Sequence, residues 1–216
     1  MGEVRDIPII ARGRILLPHG DDAVTFAGRG GASVRSPDPH RHIHDIVLGN
    51  PVLLADLMAT PVREIVDFLV EAGKRLRLED NAWLQESFAL ALQAGGLAEP
   101  ILRGVYDGLP AMFDGSDLMA QVESTIGSAY LDGWVSRPGR GEHCRVRAVG
   151  TRQLHITAGN VPVVAALTII RGALTKSDIL IKWPSNDPLT ANAIARTLIG
   201  PDADHPVTKH IAVAYW

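Results

Sequence analysis

From Val161 to Leu174 the chain is apolar at nearly every position, and the run lies between two shorter strand-like segments, Gln153–Thr157 and Asp178–Lys182. A surface helix shows one apolar stripe, whereas a helix apolar all round has to be enclosed, so this pattern predicts a buried helix between neighbouring strands. A helix over Pro188–Ile199 and a strand over His210–Tyr215 follow. Strand, helix, strand, helix, strand is the unit of a parallel α/β sheet, with right-handed crossovers.

Upstream the period is helical. Thr60 can cap a helix with Pro61 at its first position, which places Val62, Ile65, Val66, Leu69 and Leu76 on one face. Further helices are predicted over Asn81–Ala94, stopped by Gly95 and Gly96, over roughly Ala98–Tyr106, and from the cap candidate Ser116 to near Gly133. Cys144, Val146 and Ala148 alternate with Arg145 and Arg147 as in a half-exposed strand. The first 50 residues are rich in Gly, Pro and Asp, and their short apolar runs, Ile7–Ile10 and Ile15–Leu17, suggest irregular strands. The expected organisation is a strand-rich segment at 1–50, a helical region at 51–136 and an α/β region at 143–216, with the Arg137–Gly141 loop as the boundary. The predicted class is α/β: an N-terminal strand and helix region joined to an incomplete Rossmann-like parallel sheet.

Composition narrows the partners. With 46% apolar and 21% charged residues the 216-residue chain is globular. The net charge of −3, with Lys and Arg spread along the chain, carries no nucleic-acid footprint. A single cysteine, Cys144, excludes an internal disulfide and fits a reducing compartment. Glu3, Arg5 and Asp6 interrupt the N-terminus as no signal peptide does, and the Val161–Ile170 run is too short to span a bilayer. The expectation is a cytoplasmic protein without membrane partners.

Four groups of residues could carry chemistry. Gly159-Asn160-Val161-Pro162 is a strand-to-helix turn, and turn chemistry alone accounts for its residues. Lys182 is either the polar terminus of a buried strand or a ligand contact, because nucleotides bind at the carboxyl ends of parallel strands. His40, His42 and His44 would share one face of a strand, an arrangement suited to zinc, although an exposed polar face in a loop flanked by Pro37 and Pro39 explains them better. His143 and Arg145 could activate Cys144, but neighbours on a strand point to opposite faces, and a free strand cysteine is usually a small core hydrophobe. His155 and His205 are expected to be structural.

The segment His155-Ile-Thr-Ala-Gly-Asn160-Val-Pro, the 22-residue step to Lys182, the loop Lys182-Trp-Pro-Ser185-Asn-Asp-Pro188 and the closing Val-Ala-Tyr-Trp strand resemble the front half of the aldehyde dehydrogenase nucleotide-binding domain. The similarity is closest to bacterial fatty acyl-CoA reductases of the LuxC type, and it is most specific over residues 143–216. It implies that Asn160 offers its amide to the carbonyl under attack, and that Thr157, Lys182 and Ser185 belong to the cofactor site, with Lys182 at the adenosine ribose. Ser185 stands where many NAD-preferring relatives have Glu. A carboxylate repels a 2′-phosphate and a serine does not, so the resemblance favours NADP, with NAD possible.

The implied reaction is NADPH-dependent reduction of a long-chain acyl-CoA to an aldehyde through an acyl-cysteine. The nucleophilic cysteine and a glutamate are implied to fall beyond Trp216, leaving Asn160 as the catalytic residue of this chain and the chain inactive by itself. The alternative is a non-catalytic nucleotide-binding or scaffold subunit. Ile211–Trp216, with no helix after it, reads as an open sheet edge and predicts a homo-oligomer or a pairing with a reductase subunit, at this edge or through the 143–149 strand.

Overall fold

The computed structural model describes residues 4–27, 33–138, 143–159 and 163–216. The chain begins with short strands β1 (Val4–Asp6), β2 (Ile9–Ala11), β3 (Arg14–Leu16), β4 (Ala23–Ala27) and β5 (Ser33–Pro37). The helical stretch contains α1 (Ile43–Ile46), α2 (Ala55–Ala59), α3 (Val62–Gly73), α4 (Ala82–Gln93), α5 (Glu99–Asp107), α6 (Gly115–Thr125) and α7 (Ser128–Asp132). A hairpin of β6 (Val135–Pro138) and β7 (His143–Val146) leads to β8 (Arg152–Ile156), α8 (Val163–Leu174), β9 (Asp178–Lys182), α9 (Thr190–Ile199), α10 (Pro206–Lys209) and β10 (Ile211–Ala214).

The main sheet runs β3-β2-β10-β9-β8, with β8, β9 and β10 parallel, β2 antiparallel to β10 and β3 antiparallel to β2. This corrects the expected open edge at Ile211–Trp216: β10 is the central strand, and Ala212 and Val213 pair with Ala11 and Ile10. The physical reason is in both strands. All four residues of β10 and all three of β2 are buried, and strands apolar on both faces belong inside a sheet. β2 is only three residues long, too short for a period to reveal its partner about 200 positions away. The edges of this sheet are β3, which carries the exposed Arg14, and β8, where Leu154 and Ile156 are exposed.

The helices follow their apolar stripes, with shifted ends. Pro61 is the N-cap of α3, while Thr60 closes α2 by donating its hydroxyl to Asp56 O at 2.9 Å. Asn81 caps α4 through Trp83 N and Leu84 N, and Asp114, not Ser116, caps α6. The helix expected from Ser116 to Gly133 is broken at Gly127, whose φ of +89° suits glycine, so α6 and α7 are separate. Arg137 and Pro138 extend β6 rather than opening the expected loop, whose remaining residues lie outside the described ones.

One main core draws side chains from all three stretches of the sequence, among them Ile7, Ile10, Leu57, Ile65, Leu69, Tyr106, Ile169, Trp183 and Val213. Polar contacts fasten the same layers. Asn192 of α9 donates to Pro8 O at 2.7 Å, and Asn81 donates to Thr197 Oγ1 at 2.8 Å. The fully buried Lys176 ammonium meets Asp132 at 2.7 Å.

Candidate functional site

The carboxyl ends of β8, β9 and β10 lie side by side, and the loops leaving them form one surface. Thr157 follows β8, and its N–H and Oγ1 both donate to Lys182 O at 3.2 Å, which keeps the two strand ends in register. Lys182 ends β9, and its ammonium stands 4.3 Å from the centroid of the Tyr215 ring just beyond β10, a cation–π contact. Trp183 stacks on Tyr215 at 4.0 Å, and Phe26 meets the same ring edge-on at 4.7 Å. Trp183 is completely buried, and its indole Nε1 has no hydrogen-bond partner among the described residues. Ser185 is exposed at the tip of the 183–189 loop. Thr157, Lys182 and Ser185 therefore come to the same end of the sheet. Asn160 lies outside the described residues.

Behind this loop the helical region acts as a backstop. Asp187 is the only acidic residue in the loop, and it is buried. Its Oδ1 accepts from Thr190 N at 3.2 Å and Thr190 Oγ1 at 2.6 Å, which starts α9. Burial raises the Asp187 pKa, with the Thr190 hydrogen bonds opposing, so the loop's one carboxyl is biased toward its neutral form. Thr190 Oγ1 also lies 3.0 Å from Ser87 Oγ on α4 and 2.9 Å from Tyr106 Oη on α5. Burial pushes the Tyr106 phenol up, so it serves as a neutral hydrogen-bonding group. Sequence reasoning missed Asp187, Thr190, Tyr106 and Tyr215 as parts of the site. Thr190, Tyr106 and Tyr215 sit at positions that read as ordinary helix and strand, and Asp187 lay in the quoted loop without a role of its own; only the Asp-Pro-Leu-Thr turn carried a capping signal.

The remaining candidates lie elsewhere. His40, His42 and His44 occupy a turn and α1, not the strand face expected for a metal site. His42 Nε2 is 2.8 Å from Asp22 and Nδ1 is 3.2 Å from Asp45; the Asp22 hydrogen bond, helped by Asp45, raises its pKa. An imidazole occupied on both nitrogens offers no lone pair to a metal. Among the described residues no group of three or more His, Cys, Asp or Glu could hold a metal ion. Cys144 is exposed on β7, in contrast to the expected core position. His155 contacts Gln153 at 2.9 Å, and His205 caps α10 through Val207 N while stacking on Phe68.

Cavities at the opposite end of the sheet are roomier. One lies between α6, α7 and the end of α8, and another is lined by Arg12, His44, Asp56 and His210. Ligands of open α/β sheets nevertheless bind beyond the carboxyl ends of the strands, and that rule places the candidate site at Thr157, Lys182 and Ser185.

Residues 57–216 match the model of the acyl-CoA reductase (LuxC) family. The chain belongs to the LuxC acyl-CoA reductase family. It is 40% identical over 158 residues to long-chain acyl-protein thioester reductase 2 of Photobacterium leiognathi, covering 72% of this chain and 32% of that protein. Against the long-chain acyl-protein thioester reductase of Photorhabdus luminescens it is 28% identical over 215 residues, 98% of this chain and 43% of the relative. The chain thus spans less than half the length of these LuxC relatives. Among solved structures, lactaldehyde dehydrogenase from Escherichia coli superposes with a TM-score of 0.68 at 17% identity, over 98% of this chain and 42% of that one. The NADP-dependent glyceraldehyde-3-phosphate dehydrogenase of Bacillus halodurans C-125, solved with NADP, matches with a TM-score of 0.68 at 15% identity, over 96% of this chain and 43% of that one. Both show the aldehyde dehydrogenase fold. No helix among the described residues is long and apolar enough to cross a membrane.

Proposed function

We propose that this chain supplies the nicotinamide dinucleotide end of a LuxC-type reductase acting on a long-chain acyl thioester, with NADP preferred over NAD. The carrying observation is the convergence of Thr157, Lys182 and the exposed Ser185 at the carboxyl ends of adjacent parallel strands. The residues fit the group. Lys182 offers a cation at this end, and Ser185 offers a hydroxyl where a glutamate would repel a 2′-phosphate. Asp187 does not take the place of that missing acid, because its carboxyl is turned to the start of α9 and burial favours its neutral form.

When bound, the dinucleotide supplies hydride. What this chain contributes is placement: the Thr157–Lys182 bonds hold two strand ends together, and the Ser87, Tyr106 and Thr190 hydroxyls brace the loop from below. Asn160, whose amide this reading assigns to the thioester carbonyl, lies outside the described residues.

Calorimetric titration of the chain with NADP and NAD tests the cofactor reading. The wild type is expected to bind NADP more tightly. Ser185→Glu is expected to reverse that order, shifting the ratio of affinities about tenfold or more, since one carboxylate near a phosphate is worth at least about 1.4 kcal/mol at short range. Equal affinities for both dinucleotides in both proteins would remove Ser185 from the site.

A further inference from the structure

The turn after β8 and the loop after β9 are separate pieces of chain, yet their atoms interlock. Asn186 Nδ2 donates to Gly159 O at 2.6 Å. A Cβ at position 159 would stand 1.7 Å from Asn186 Oδ1 and 2.8 Å from Pro184 Cγ, so any other residue there would have to displace these loop side chains. At the other end of the same turn, both the N–H and the hydroxyl of Thr157 are bound to Lys182 O. The turn is therefore held at its start by the last carbonyl of β9 and at its finish by a loop side chain two residues from the buried Pro188.

We propose that Asn186 is a positioning residue, whose carboxamide locks the Thr157–Gly159 turn to the 183–189 loop so that dinucleotide bound at the loop also orders the turn. The inference rests on the dinucleotide reading above and adds to it a coupling between the two loops.

The chemistry separates a hydrogen bond from mere space filling. Aspartate has the shape of asparagine but, when ionised, no N–H to donate, and it turns a second acceptor toward Gly159 O. Asn186→Ala and Asn186→Asp are compared with the wild type by amide hydrogen exchange, read at Thr157 with the β9 amides as control, and by NADPH titration. Both variants are expected to exchange Thr157 about fivefold faster or more, the effect of losing one ordinary hydrogen bond, with β9 unchanged. NADPH affinity is expected to fall in both, and NADPH is expected to slow Thr157 exchange only in the wild type. Wild-type exchange and affinity in Asn186→Asp would show that the side chain only fills space and would overturn the proposal, as would unchanged exchange in Asn186→Ala. If the variants exchange faster but the wild type binds no NADPH, the dinucleotide reading fails and takes the proposed coupling with it.

Discussion

Deleting residues 1–17 is expected to unfold the main sheet rather than trim it. Ile7, Ile9 and Ile10 are at most 1% exposed, and burying each contributes about 1.5–3 kcal/mol. Their loss alone approaches the net stability of an ordinary domain, about 5–15 kcal/mol. The deletion also strips the hydrogen-bonding edge of β10 and removes the Pro8 carbonyl from the buried Asn192 amide. Urea denaturation followed by circular dichroism, with a hydrophobic dye to report exposed apolar surface, is the check. The truncated chain is expected to bind dye and to show no cooperative transition. The substitution Ile10→Asp, which puts a carboxylate into the same core, is expected to act in the same direction. A truncated chain that unfolds at the wild-type midpoint would show that β2 is dispensable.

That strand marks where sequence reading stopped. The α/β unit from Gln153 to Tyr215 was legible because α8 is apolar at nearly every position and its neighbours alternate with turns at a regular spacing. The family resemblance came from the same segment, where Gly159-Asn160 and Lys182-Trp-Pro-Ser185 sit at strand ends. By contrast β2 and β3 carry three residues each, and nothing local in Ile9–Ala11 tells that it pairs with Ile211–Ala214. Only the topology shows that β10 is central. The candidate site was legible in part for a similar reason: Thr157, Lys182 and Ser185 belong to short local motifs, whereas Ser87 and Tyr106 join this end of the sheet only through Thr190, and Tyr215 only through its ring contact with Lys182. For the histidine cluster the structure takes the loop alternative over the strand face: His40 and His42 lie in a turn and His44 in α1.

His210→Ala is expected to be the most damaging single side-chain truncation at the amino end of the sheet. Nδ1 of His210 is 2.8 Å from Asp178 and Nε2 is 2.8 Å from Asp56, while Arg12 pairs with Asp178 and donates to Lys209 O at 2.9 Å. The four side chains join β2, α2, β9 and the start of β10. Burial pulls the Asp178 pKa up, but His210 and Arg12 outweigh it and hold the carboxyl below its ordinary value. Removing one partner from a buried ionic cluster costs about 3–5 kcal/mol, and about 3 is expected here because the Asp56 end is partly exposed. The sign of the pH dependence follows from the depressed pKa. Asp178 contributes its full stability above the unfolded value of about 3.9, and that contribution is lost as the pH falls through the lower folded value. Urea unfolding at pH 7 and in steps below pH 4 is expected to show a steeper acid loss for the wild type than for His210→Ala. A cost under about 1 kcal/mol at pH 7, with parallel acid profiles, would mean that the cluster is held by its surroundings rather than the reverse.

The central claim is that the carboxyl ends of β8, β9 and β10 receive the dinucleotide, and the most direct test is backbone amide mapping of the chain during an NADPH titration. The account predicts saturable shifts at Thr157, Gly159, Lys182, Trp183, Ser185, Asn186 and Tyr215, with Arg12, His44, Asp56 and His210 at the opposite end unmoved. Saturable shifts confined to that opposite cavity, or none at either end at millimolar NADPH, would contradict it.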